Sequence, residues 1–113
     1  MMSLSKKARV FVYREPVDMR KSYDGLYGLA KRLGKPLMGD VYLFVSRNWT
    51  RTKALCWDGT GLNIWMKRLE RGQFADVFCR QEMTLSELSL FFEGSPSVVH
   101  KLSAEDLTRR FVA

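Results

Sequence analysis

The sequence predicts an α+β fold, a curved antiparallel β-meander of three to five strands covered by an N-terminal helix, with short helices toward the C-terminus. Three observations predict it. Apolar residues recur at helical spacing in "DMRKSYDGLYGLAKRLG" (Asp18–Gly34). Three β-rich runs, "DVYLFVS", "TKALCWD" and "LNIWMKRL", follow one another across short turn-forming stretches. A helix-capping signature opens "TLSELSLFFEG". The 113 residues suit one domain, with 9–74 carrying sheet and helix and 75–113 forming a C-terminal extension.

Each element has a local cause. Residues 1–8 read as a frayed basic terminus, and Arg9–Tyr13 ("RVFVY") as a short β-branched and aromatic strand. Pro16 ends that strand, because it lacks an N–H and pushes Glu15 toward an extended conformation. A helix is expected over 18–33. Asp18 is its N-cap, and Met19, Tyr23, Leu26, Tyr27, Ala30 and Leu33 form its apolar face. Gly34 and Pro36 stop it. Gly25 and Gly28 each cost roughly 1 kcal/mol of helix propensity, which points to close approach of another backbone.

Strands are expected over 40–46, 52–58 and 62–69, joined by the loop Arg47–Arg51 and the turn Asp58–Gly61, where Gly59 and Gly61 can take positive φ. In the third strand Leu62, Ile64 and Met66 share one face, and Asn63, Trp65 and Lys67 the other. Residues 74–80 fit a fourth strand or an extended arm. Thr84 and Glu87 form a capping box for a helix over 84–93, whose apolar face is Leu85, Leu88, Phe91 and Phe92. Ser95–Ser97 reads as a linker, and Ser103–Phe111 as a third helix.

The net charge of +7 is unevenly spread: residues 1–71 hold 15 Lys/Arg against 6 Asp/Glu, and residues 72–113 hold 4 against 6. A basic body with a mildly acidic tail suits a polyanion-facing part and a part with another task; a solubilising surface is the plain alternative. No run approaches the roughly 20 apolar residues of a membrane span, and the N-terminus lacks the apolar core of a signal peptide. A cytoplasmic protein without membrane contact is expected.

Catalytic chemistry has little to draw on. Cys56 and Cys79 fit no zinc or redox spacing and read as buried thiols, and His100 is the single histidine. Asp18 reads as a cap, Asp58 as a turn residue, and Asp40 stands before a strand, so no carboxylate cluster for two-metal chemistry is expected. "GKPLMG" and "DGTG" do not match either nucleotide fingerprint. No catalytic residue, metal or cofactor is assigned. A metal-dependent nuclease using Asp18 or Asp58 remains a rival.

Binding has more. The 47–51 loop and the end of the 62–69 strand can meet at one end of a meander. That end gathers Arg47, Arg51, Lys53, Lys67, Arg68 and Arg71 around Trp49, as phosphate contact with stacking requires. Long basic stems covering an apolar sheet are the alternative. Trp57 and Trp65 read as core residues paired across strands, and Trp49 as the exposed one.

Two segments resemble a known family. "PVDMRKSYDGLYGLAKRLG" is similar to the P-x-D-M-R-K-S-x-D-G-L segment, and "VYLFVSRN" with "TKALCWDGTGLNIWMKRLERGQF" to the later R-x-x-x-x-K-x-L-x-W-D-x-x-G and K-R-L-E-x-G-x-F pattern, of the TnpB-type second reading frame of the IS-sixty-six group of insertion sequences. It is unrelated to the RNA-guided nuclease sharing the TnpB name. The likeness covers about residues 9–74. The sequence departs from the pattern at "SRNWTR" and at "ADV", where the family carries a Gly- and Arg-rich loop and a Trp-Pro pair. The resemblance implies a non-catalytic accessory factor for DNA transposition, whose separate transposase carries the catalytic carboxylates. The implied partners are DNA at the element ends, held mainly through phosphates, and the element's own transposase. A transposase adaptor with no DNA binding of its own is the alternative. The resemblance adds Arg20 and Lys21 to the DNA-facing residues, which helix physics alone leaves as a solvated face.

Overall fold

The computed structural model describes residues 8–34 and 39–99. The elements are β1 (Val10–Val12), α1 (Tyr23–Ala30), β2 (Val41–Val45), β3 (Arg51–Trp57), β4 (Leu62–Arg68), β5 (Glu82–Met83) and α2 (Leu85–Phe92). They make an α+β fold around one five-stranded sheet, ordered β4-β3-β2-β1-β5.

β2, β3 and β4 form the expected antiparallel meander, with Val41 opposite Cys56 and Leu55 opposite Ile64. The sheet as a whole is mixed, which corrects the all-antiparallel expectation. β1 runs parallel to β2, and β5 closes its other side antiparallel. The reason lies in the connection. Residues 13–40 carry α1 between β1 and β2, and a crossover of that length returns the chain in the same direction. The ladder continues past β1, as the Tyr13 and Val17 N–H groups donate to the Leu43 and Val45 carbonyls, both at 2.9 Å.

Alternation divides the core. On one face Tyr42, Phe44 and Leu55 cluster with Tyr13, Val17 and the α1 residues Leu26 and Ala30, and Leu62 and Ile64 pack at the edge. On the other face Val10, Val12, Leu43, Val45 and Ala54 cluster with Leu88, Leu90 and Phe91 of α2 and with Phe74, Val77 and Val98. β2 is buried at every position, as a strand covered on both faces must be.

The N-cap of α1 is Ser22, four residues later than the capping argument placed it. Asp18 accepts from the Arg20 N–H at 2.9 Å, while its carbonyl accepts from the Lys21 N–H at 3.1 Å. That closes a separate turn, and the helix starts after Ser22 without a side-chain cap. Tyr23 and Leu33 are consequently exposed. A Cβ at Gly25 would stand 3.3 Å from the Lys21 side chain, and one at Gly28 would meet nothing, so neither glycine admits another backbone.

α2 matches its signature. Thr84 accepts from the Glu87 N–H at 3.1 Å, and the Glu87 carboxylate accepts from the Thr84 N–H at 2.9 Å. Its end is a Schellman closure: Gly94 takes φ 83°, and the Gly94 and Ser95 N–H groups donate to the Phe91 and Leu90 carbonyls. Residues 74–80 form no strand; they pack as an arm through Phe74 and Val77. The stretch read as a linker is a 3₁₀ turn, Pro96–Val99, with Val98 buried. Residues 1–7 and the helix expected over 103–111 lie outside the described residues.

Candidate nucleic-acid interface

The register of the β3–β4 hairpin sets the geometry. Arg51 stands directly opposite Arg68, and Thr52 opposite Lys67. The 46–51 loop and the end of β4 therefore share one end of the sheet, and the Leu69 N–H donates to the Thr50 carbonyl at 2.8 Å. Arg51, Lys53, Met66 and Arg68 project to the face that carries α1. Lys67 alternates to the opposite face. On this edge strand it borders both an apolar depression, with Trp65, Leu88 and Phe92, and the inner part of the α1-face trough.

A trough runs along the α1 face at this end. One part is bordered by Asp18, Arg20, Arg47, Asn48, Arg51 and Arg68. The adjoining part is bordered by Met19, Arg51, Lys53, Met66, Arg68 and Glu70. Two carboxylates lie in it, each held by an arginine: Asp18 meets Arg20 at 2.6 Å and Glu70 meets Arg68 at 2.9 Å. The Arg20 hydrogen bonds to its side chain and N–H hold the Asp18 carboxyl down at about 2. Arg47, Arg51, Lys67 and Arg71 make no ion pair among the described residues, and all four are exposed. Like charges directly opposed on an antiparallel pair repel; Glu70 offsets Arg68 here, and Arg51 opposite it is the charge left for an external anion.

The 46–51 loop that presents Arg47 and Arg51 is held from within. The Asn48 side-chain carbonyl accepts from the Ser46 hydroxyl, the Thr50 hydroxyl and the Thr50 N–H, at 2.8, 2.8 and 3.2 Å. Trp49, expected as an exposed contact, is half-buried. It takes φ 62°, a strained conformation for a bulky residue. Its ring lies 4.4 Å from that of Phe78, and its carbonyl accepts from the Phe74 N–H at 2.6 Å. Gln73 adds a side-chain bond to the Asn48 carbonyl at 2.9 Å.

The remaining expected residues separate. Lys53 is 8% exposed, and its ammonium donates to the Lys21 carbonyl at 2.7 Å. Lys21 is itself exposed, and Arg71 stands in the exposed turn that leaves β4. Trp57 and Trp65 are half-buried and do not pair: Trp57 stands opposite Leu62, and Trp65 opposite Ala54. Cys56 is buried and Cys79 exposed, so only one of the two thiols meets the expectation.

The carboxylates considered for metal chemistry have structural tasks. Asp58 accepts from the Thr60 N–H, the Asn63 amide, the Gly61 N–H and the Thr60 hydroxyl, which lowers its carboxyl far below the ordinary range. In that turn Gly59 takes φ 97° and Gly61 needs no positive φ. Asp76 accepts from the Phe78 N–H at 3.0 Å. No group of three or more His, Cys, Asp or Glu side chains gathers among the described residues. Among the described residues no helix is long and apolar enough to cross a membrane.

Sequence reasoning passed over Asn48, Phe78 and Arg80. Arg80 pairs with Glu87 at 2.5 Å, both nearly inaccessible, and joins the 74–80 arm to the α2 capping box. An asparagine flanked by Ser and Thr was the available signal for the loop. Nothing in the local pattern marks the Arg80–Glu87 contact.

Residues 8–101 match the family described as IS66 Orf2 like protein. A relative from Sinorhizobium fredii, carried as uncharacterized protein y4jC, is 34% identical over 76 residues. That match spans 66% of this chain and 65% of the relative, just under two thirds of its length. No solved structure matches the chain. With the family match running through β1 to α2, over the motifs that build the sheet end and its basic trough, the chain belongs to the IS66 Orf2-like family of insertion-sequence accessory proteins.

Proposed function

We propose that this protein is a non-catalytic accessory factor for transposition that binds DNA through the α1-face trough and assists a separate transposase. The observation that carries the reading is the Arg51–Arg68 pairing with Arg47 beside it: Asp18 and Glu70 offset Arg20 and Arg68, while Arg47 and Arg51 make no ion pair among the described residues. Guanidinium groups on a short, internally bonded loop suit phosphate contact, which gives affinity and register without sequence readout. Arg20, Arg47, Arg51 and Arg68 make the contact. Lys21 and Arg71 add charge nearby, Lys67 serves the opposite face, and Trp49 positions the loop beneath the arginines. The protein acts as one domain.

The test is fluorescence anisotropy with terminal-repeat and scrambled duplexes over a salt series. Parent affinity should fall steeply with salt. Arg47→Ala/Arg51→Ala/Arg68→Ala should bind weakly to both duplexes and flatten the salt slope by on the order of one unit per lost contact. A folded triple variant with unchanged affinity and slope would overturn the assignment.

A second reading is a transposase adaptor. The depression between β4 and α2, bordered by Trp65, Met66, Leu88 and Phe92, supports it, and Met66 is 71% exposed. A transposase complex insensitive to salt, formed by a chain without DNA affinity, would favour this reading.

A further inference from the structure

Of the two parts of the trough, the inner one is the more enclosed, and the outer one lies around Arg20 and Arg47. The inner part has Lys53 beneath it, and Arg51 and Arg68 stand across from each other on the same face as Lys53. Lys53 is 8% exposed, and the one acceptor its ammonium meets among the described residues is the neutral Lys21 carbonyl. No carboxylate lies within ion-pairing distance of it among those residues. Glu70 borders the space but is engaged by Arg68 through Nε and Nη2. An ammonium has three donors, so beyond the Lys21 carbonyl Lys53 retains donors for an anion in this space.

The shape of the space limits which anion that can be. A phosphodiester within a duplex carries one negative charge and is flanked by sugars on both sides, so it contacts an open surface but does not enter a recess. A phosphomonoester at a strand end carries about −1.5 to −2 charges at neutral pH and presents three free oxygens. The Arg51 guanidinium, the Lys53 ammonium and the Arg68 Nη1 that Glu70 leaves unused match those oxygens, and guanidinium contacts to phosphate are among the stronger charge-assisted bonds.

Building on the DNA-binding reading above, we propose that the recess formed by Arg51, Arg68 and Lys53 receives the terminal phosphate of a DNA strand end. The protein then distinguishes a cut end from continuous duplex.

The test compares four duplexes of one sequence by anisotropy at fixed salt: 5′-phosphorylated, 3′-phosphorylated, hydroxyl-ended, and closed at both ends by hairpins. The parent chain should bind one of the phosphorylated duplexes about tenfold more tightly than the hydroxyl-ended and closed ones. Which of the two is preferred identifies the end. Thymidine 5′-monophosphate should reduce that preference, and thymidine should not. In Lys53→Met, which keeps the stem and removes the charge, the ratio of phosphorylated to hydroxyl-ended affinity should fall toward one. The comparison of ends needs only the parent chain, so it stands even where the variant fails to fold. Equal affinity for all four duplexes would overturn the end-phosphate site and leave the DNA-binding reading intact. Failure to bind any of them would overturn both.

Discussion

At the scale of single residues, exposure separates side chains of similar type. Phe91 is fully buried and stacks on Phe74 at 4.9 Å, whereas Trp57 is half-buried at the sheet edge. Phe91→Ala should therefore cost about 3–5 kcal/mol in denaturant unfolding. Trp57→Ala should cost about 1–2 kcal/mol, since only part of its apolar surface leaves water. Equal losses would contradict the difference in burial. Asp58 makes an acid-sensitive turn. Its carboxyl is depressed in the folded chain, as is that of Asp18 at about 2 against 3.8. Such groups stabilise the fold above the unfolded value and lose that effect as pH falls through the folded value. Asp58→Ala should lower the melting temperature at pH 7 and shrink the loss between pH 5 and pH 2, read by circular dichroism at each pH. A variant with the parent's full acid dependence would show that Asp58 is not among the titrating groups. Residue-level meaning was only partly legible in sequence. Lys53 and Arg51 look equivalent in "RTKALCW", yet one is buried and the other exposed. β3 is covered on both faces through its centre, so no polar alternation marks the recessed lysine.

At the scale of elements, the short capped helix depends on a contact from outside itself. Glu87 caps α2 and also receives Arg80, with side-chain exposures of 1% and 10%. Arg80 donates as well to the Val98 carbonyl at 3.2 Å, so one guanidinium joins the arm, the helix and the final 3₁₀ turn. Removing one partner leaves a buried charge, so Glu87→Ala should destabilise by about 3–5 kcal/mol, and Arg80→Met/Glu87→Leu by much less. A single variant as stable as the parent would show that the pair contributes only locally. The capping box and Gly94 were legible because caps are local chemistry. The α1 start was not, because an Asx turn and an N-cap use the same residue in the same place. The three meander strands were legible from alternation and turn residues. The β1–β5 pairing was not, since Val10 and Met83 meet across most of the chain and two-residue β5 has no pattern to read.

At the scale of the whole molecule, the sheet separates two surfaces. The α1 face carries the arginine trough, and the opposite face carries the apolar depression beside α2. The two surfaces meet at the β4 edge, where Met66 and Lys67 border both. On the proposed reading, Phe92→Lys should weaken transposase pulldown while leaving the DNA salt slope near that of the parent. A parallel loss of both would show that the surfaces are not independent. Charge asymmetry in the sequence suits two tasks, but it does not mark that adjacent Lys67 and Arg68 point to opposite faces, which follows from strand register.

The order of the strands also bears on how the chain is made. β1 is the first strand among the described residues, yet it lies inside the sheet, and its outer edge is covered there by Gln81, Glu82 and Met83. During synthesis the hydrogen-bonding edge of Val10–Val12 stays bare until the chain beyond residue 83 has left the ribosome. Bare edges of apolar strands recruit other strands. Nascent chains stalled before that point should be aggregation-prone and dependent on chaperones, while chains extended through α2 should become protease-resistant in one step.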